Sequence, residues 1–255
     1  MTRSTAGEDR IRRLLALDDS VASGRGFPPV SQRIPTPSMG TDGAPERSIR
    51  RPQLTGFDEA GRGALAGPVA VGCVAFDWSQ LRDDGNRWRE DLLEAYRELN
   101  DSKRVSERKR ERLYRRITTD AAWGLGCASA REIDHVGIVE ACYRAARRAY
   151  CRLHLHADVL LFDRGLDFAT PGSTSTGVAT VHLTKGDARS FHIAAASIIA
   201  KVGRDAIMRC VDSRYPVYEF AQHKGYGTAA HRTAIQTHGP SPLHRRTFLR
   251  STLGQ

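Results

Sequence analysis

Apolar positions are sparse and unpatterned in the first fifth of the chain and dense from Leu54 onward. Residues 1 to about 50 cluster Pro, Ser, Gly and Arg, with one short apolar run, Ile11 to Leu17, sufficient for a helical turn or two. Residues 1–52 therefore read as a disordered N-terminal extension and residues 53–255 as one folded domain with a helical C-terminal part. GFDEAGRGALAGPVAVGCVAFDW predicts a strand, a Gly-rich turn and a second strand running into Trp78. Leu81 to Leu99 and Ser106 to Thr119 read as helices, with Ser106 as N-cap, and Ala121 to Ala130 as a third strand. Ile133, Ile138, Val139, Cys142, Ala145, Ala146 and Ala149 recur at helical spacing over 132–152. Asp158–Phe162 and Val178–Leu183 are short apolar runs expected as strands, and Phe191–Val211 is a long Ala/Ile-rich helix. This order predicts an α/β domain with a mixed five-stranded sheet flanked by helices.

Composition narrows the class. No run approaches the ~18 apolar residues of a membrane span, and the N-terminus MTRSTAGEDRIRRLLALDDS lacks the apolar core of an export signal, so a cytoplasmic protein is expected. Cys73, Cys127, Cys142, Cys151 and Cys210 are scattered without a CxxC pair and read as buried thiols in a reducing compartment. The net charge is +10, from 39 Lys+Arg against 29 Asp+Glu, and only five of those cations are Lys. Residues 51–255 carry +8 of that excess, which suits a polyanionic partner such as nucleic acid.

The candidate chemistry sits at strand ends. Asp58 and Glu59 close the first strand and are followed at once by Gly61-Arg62-Gly63; Asp163 ends another apolar strand, and Asp187 follows Lys185-Gly186 beyond a third. Adjacent residues of a strand point to opposite faces, so Asp58 and Glu59 share a site only if the backbone turns there, which the glycines permit. Any one of these aspartates fits an ordinary turn. Carboxylates converging from three strand ends instead suit Mg²⁺ or Mn²⁺.

GFDEAGRGALAGPVAVGCVAF closely resembles the opening signature of type 2 ribonuclease H, the bacterial ribonuclease HII family. LNDSKRVSERKRERLY (99–114), EIDHVGIVEACYRAARRA (132–149), Asp163, KGDARSFHIAAASIIAKVGRD (185–205), HKGYGTAAH (223–231) and HGPSPLHRRTF (238–248) follow in the family's order, so the resemblance spans about 55 to 250. It implies a ribonuclease-H-like fold that cleaves the RNA strand of RNA–DNA hybrids and incises duplex DNA 5′ of embedded ribonucleotides, leaving 5′-phosphate and 3′-hydroxyl ends. It carries over Asp58, Glu59, Asp163 and Asp187 as catalytic metal ligands for a two-metal site, with Asp205 read as structural. Gly61, Arg62 and Gly63 correspond to the turn that senses the 2′-hydroxyl, and Tyr226 to a tyrosine packed on the sugar beside the ribonucleotide. Asn100, Ser102 and Lys103 correspond to a phosphate-contacting loop, and Lys185 is a further substrate contact. The expected partners are hybrid duplexes and DNA with embedded ribonucleotides, no membrane, and no second copy, the chain acting as a monomer.

Two departures stand out. Arg164 separates Asp163 from Gly165, where the family places Asp directly before Gly, and Asp167–Thr180 is a long Ser/Thr/Gly-rich loop. The Arg cluster at 108–116 reads equally as a solvated helix face, and His231, His238 and His244 show no metal-ligand spacing and read as structural or phosphate-proximal.

Overall fold

A computed structural model describes residues 5–25, 51–83, 85–100, 102, 105–167 and 178–253. Its strands are β1 (Leu54–Ala60), β2 (Val69–Ala75), β3 (Ala122–Ala128), β4 (Val159–Asp163) and β5 (Ala179–Leu183), in the sheet order β3-β2-β1-β4-β5. The β1–β2 and β2–β3 pairs are antiparallel, β1–β4 and β4–β5 parallel, as expected for hairpins followed by crossover connections. The sheet is the mixed five-stranded one predicted.

The helices are α1 (Ala6–Ala22), α2 (Trp78–Leu81), α3 (Glu90–Ala95), α4 (Glu107–Asp120), α5 (Ala130–Val136), α6 (Ile138–Cys151), α7 (Phe191–Asp212), α8 (Phe220–His223), α9 (Ala229–His238) and α10 (Arg246–Leu253). Helix α7 covers one face of the sheet, where Ile193, Ala196 and Ile199 meet Leu54 and Val74. Its small residues allow close approach: a Cβ on Gly72 would strike the backbone of Ala196 and Ala200. Helix α6 covers the other face, packing Ala145, Ala146 and Ala149 against Phe57, Val71 and Cys73. Every residue of β2 is buried between the two layers. A third cluster, around Leu65, Met208, Tyr218, Phe220 and Ile235, ties the C-terminal helices to the Gly-rich loop after β1.

Four expectations change. Residues 81–99 are two short helices, α2 and α3, joined through an Arg82–Trp88 bridge, because Asp83, Asn86 and Arg87 close a turn on one another. Residues 132–152 break at Gly137, which takes φ +81 and separates α5 from α6. Cys151 and Cys210 are exposed and Cys127 half-buried; only Cys73 and Cys142 are fully buried.

The largest change is at the N-terminus. Residues 6–22 form a helix opened by a Thr5–Glu8 capping box, with Ile11, Leu14, Leu15 and Val21 buried in the α7-side core. Asp18, fully buried, accepts from the backbone N of His192 at 3.1 Å and contacts His192 Nδ1 at 2.7 Å. Asp19 meets Arg51, Arg82 and Arg25. This part of the expected disordered extension is thus a core element, whereas residues 26–50 and the loop segment 168–177 lie outside the described residues.

Candidate active site

Strand alternation sets the first two carboxylates. Leu54, Gly56 and Asp58 face α7, while Phe57 and Glu59 face α6. They still share one cleft of about 330 Å³, because β1 ends at Ala60 and the chain turns at Gly61. Asp187, Ser102, Lys201 and Tyr226 complete that cleft with the Gly61-Arg62-Gly63 turn. Asp163, at the end of the adjacent parallel strand β4, accepts from the backbone N of Gly186 at 2.8 Å and so fixes the turn that presents Asp187.

These carboxylates repel one another. Burial first, then the charges of Glu59, Asp163 and Asp187, push the Asp58 carboxyl well above the usual carboxylate range, against one backbone hydrogen bond from Glu59 N at 2.8 Å. Burial also raises Glu59, opposed by Arg62, whose guanidinium lies 3.6 Å from its Oε1. Glu59 Oε2 is buried without a hydrogen-bond partner. Among the described residues no three His, Cys, Asp or Glu side chains close into a metal cage. Asp58 nevertheless lies within electrostatic reach of Glu59, Asp163 and Asp187. The buried orphan oxygen of Glu59 and the raised carboxyls of Asp58 and Glu59, in a hard-oxygen donor set, fit a divalent cation of the Mg²⁺ or Mn²⁺ kind.

The turn is held from behind by two buried arginines. Arg245 donates to Gly61 O and Arg62 O, both at 2.8 Å, and to Gly67 O at 3.1 Å. Arg204 donates to Pro68 O, Lys224 O and Ala66 O. Burial lowers both, Arg245 to about 9. Gly61 sits at φ +87 directly against Arg204, so no side chain fits there. Arg204 also lies 5.3 Å from the Tyr226 ring. Neither arginine was singled out as a site residue above, since the sequence marks them only as cations within family-like segments.

The other expected residues divide. Ser102 is buried at the cleft and Asn100 half-buried nearby in sequence, whereas Lys103 lies outside the described residues. Lys185 is exposed at the left-handed φ of 54 that turns the chain towards Asp187. Asp205 is not among the cleft residues; it accepts from Lys201 at 2.8 Å, and it is Lys201 that reaches the cleft. Arg164 stands exposed.

The histidines form a relay beneath Tyr226. Ser241 N donates to His244 Nδ1, His244 and His231 meet through their Nε2 atoms at 3.0 Å, and His231 Nδ1 contacts Tyr226 O at 2.9 Å. A carbonyl only accepts, so His231 carries its proton on Nδ1 and accepts at Nε2, and neutral His244 donates from Nε2. Burial lowers both rings to about 4.

Residues 55–251 match the Ribonuclease HII family. Relatives named Ribonuclease HII include those of Syntrophotalea carbinolica, 44% identical with 77% of this chain and 85% of that one covered, and Chloroflexus aurantiacus, 45% identical with 76% and 85% covered. Among solved structures, the Pyrococcus horikoshii ribonuclease H2 superposes with a TM-score of 0.58 at 23% identity, covering 78% of this chain and 96% of that one. The Archaeoglobus fulgidus RNase HII, solved with PCNA, gives 0.57 at 24% identity, covering 76% and 94%. With a family match over most of its length and relatives well above 30% identity, the chain belongs to the ribonuclease HII family of ribonuclease H enzymes.

Proposed function

We infer that this protein hydrolyses the RNA strand of RNA–DNA hybrids and incises duplex DNA 5′ of a single embedded ribonucleotide, leaving 5′-phosphate and 3′-hydroxyl ends. The supporting observation is the shared cleft: Asp58, Glu59 and Asp187 open into the same space as the Gly61-Arg62-Gly63 turn and Tyr226. Mg²⁺ or Mn²⁺ ions held by Asp58, Glu59, Asp163 and Asp187 would supply an activated water and a stabilised 3′ leaving oxygen.

The chain's own residues do the rest. Asp58 and Glu59 are held in place despite repulsion by the pairing of β1 with β2, which runs through both residues to Ala60. The glycine turn lets a sugar approach the backbone, and Arg245 keeps the carbonyls of Gly61 and Arg62 pointing inward, leaving the outer face for a 2′-hydroxyl. Tyr226 sets a flat ring where the sugar next to the ribonucleotide would pack. Arg62, Lys185, Asn100, Ser102 and Lys103 would hold phosphates, and Lys201 joins them at the cleft. The unit acts as a monomer in the cytoplasm.

The test is a DNA duplex carrying one ribonucleotide, incubated with Mg²⁺ or Mn²⁺. Incision on its 5′ side is expected, and binding without incision overturns the reading. Asp187→Asn should abolish cleavage and Asp205→Asn should retain it; the reverse pattern overturns the ligand assignment.

A further inference from the structure

A second cationic surface lies beside the cleft on helix α6. Arg144, Arg147, Arg148 and Arg152, with the exposed Cys151, line an open depression of about 560 Å³. Glu132 and Glu140 are the acids paired with this row, so it keeps an excess of two positive charges. Arg148 grips both oxygens of Glu132, at 2.8 and 2.9 Å, whereas Arg147 meets Glu140 at 3.4 Å and Arg152 donates to the carbonyl of Leu125.

Register locates the row. Arg152 and Arg148 lean on the carbonyls of Leu125 and Cys127 in the edge strand β3. Leu125 stands opposite Gly72, and Gly72 opposite Asp58; Cys127 stands opposite Ala70, and Ala70 opposite Ala60. The backbone carbonyls on which the row leans therefore lie two strand spacings, about 10 Å, from the backbone of Asp58 and Ala60 at the same end of the sheet. It is on the α6 side, towards which Glu59 points. That separation is of the order of a groove width, about 12 Å for a major groove.

We propose that this arginine row is a second phosphate-binding track, which holds the backbone of a nucleic-acid duplex extending beyond the cleft. Guanidinium groups bind phosphate through paired N–H donors, and exposed ion pairs worth about 0–1 kcal/mol exchange readily for it. The identity of the partner rests on the ribonuclease reading above; the binding surface does not. Arg147 and Arg152, less committed within the protein, are the phosphate donors, and Arg148 keeps the row in place.

Binding of a hybrid of about 24 base pairs without divalent metal, measured over a salt series, tests this for the full chain and for Arg147→Gln/Arg152→Gln. Loss of two phosphate contacts should reduce the slope of log K against log salt by about 2 and weaken binding roughly tenfold at ~100 mM salt. Equal slopes and equal affinities for the two proteins overturn the proposal. Maleimide labelling of Cys151 in the unaltered protein avoids any folding defect of the variant. Saturating long hybrid should slow it at least fivefold; undiminished labelling, or protection by anionic vesicles and not by hybrid, also overturns it. Normal cleavage without these effects removes the track and leaves the ribonuclease reading, while the effects without cleavage do the opposite.

Discussion

The histidine relay makes the Tyr226 segment sensitive to acid. His231 and His244 are buried, at 0% and 2% exposure, and each is shifted from 6.5 to about 4. Each lone pair in the relay already faces an N–H: His244 Nδ1 faces Ser241 N, and His231 Nε2 faces the proton on His244 Nε2. A further proton on either ring would set donor against donor. A shift of that size corresponds to about 3 kcal/mol for the first proton. The folded values lie below the unfolded one, so the unfolded chain binds more protons between pH 6.5 and 4. Stability from the relay is therefore complete above pH 6.5, falls as pH drops through 6.5, and is spent by about pH 4. Asp58 and Glu59 act in the opposite sense, since their raised values favour proton uptake by the folded state, so a bulk unfolding curve alone would blur the two. Imidazole NMR separates them. At pH 5.5 both rings should remain neutral, His231 with its proton on Nδ1 and His244 on Nε2. Titration of either ring near 6.5, or the opposite tautomers, would refute the relay.

Three further outcomes are expected. Asp58→Asn keeps an oxygen to accept from Glu59 N but removes one of four repelling charges; the metal-free protein should gain about 1–2 kcal/mol at pH 7.5 by urea unfolding while cleavage is abolished, and a loss of stability would contradict the repulsion. Asp18→Ala strands two buried donors of His192 and should cost about 2–5 kcal/mol, a fall in melting temperature of roughly 5–15 °C; an unchanged melting temperature would mean that α1 is not part of the core. Gly61→Ala places a Cβ at φ +87 against a pinned Arg204 and should cost about 2–4 kcal/mol together with most of the activity; retention of wild-type cleavage would show that the turn tolerates a side chain.

What could be read from the chain was local. The strands carrying Asp58 and Asp163 announce themselves by apolar runs ending in a carboxylate and a glycine, and they stand where expected. Helix α1 had a readable signal too: Thr5 and Glu8 form a capping box, and Ile11, Leu14, Leu15, Asp18 and Val21 follow helical spacing. The surrounding Pro and Gly residues outweighed it. Position 18 also breaks the apolar stripe with a carboxylate whose partner, His192, lies far along the chain. Arg204 and Arg245 were beyond sequence reasoning for a related reason. A buried guanidinium is tolerated only where carbonyls converge, and the convergence of Gly61, Arg62, Gly67, Ala66, Pro68 and Lys224 exists only in the folded chain.

These arginines also sharpen the electrostatics of the site. Two buried cations lie directly behind the carboxylate cleft, yet the dominant influences on Asp58 are burial and three neighbouring carboxylates, with no guanidinium among them. Arg204 and Arg245 direct their donors to backbone carbonyls, and Lys201, at the cleft, is paired with Asp205. Negative charge is thus concentrated at the cleft, where Asp58 faces Glu59, Asp163 and Asp187. Such an arrangement is costly for folding alone, and a divalent cation held by these carboxylates would offset it. Excess positive charge stands elsewhere, as on α6, where Arg144, Arg147, Arg148 and Arg152 outnumber their acidic partners Glu132 and Glu140.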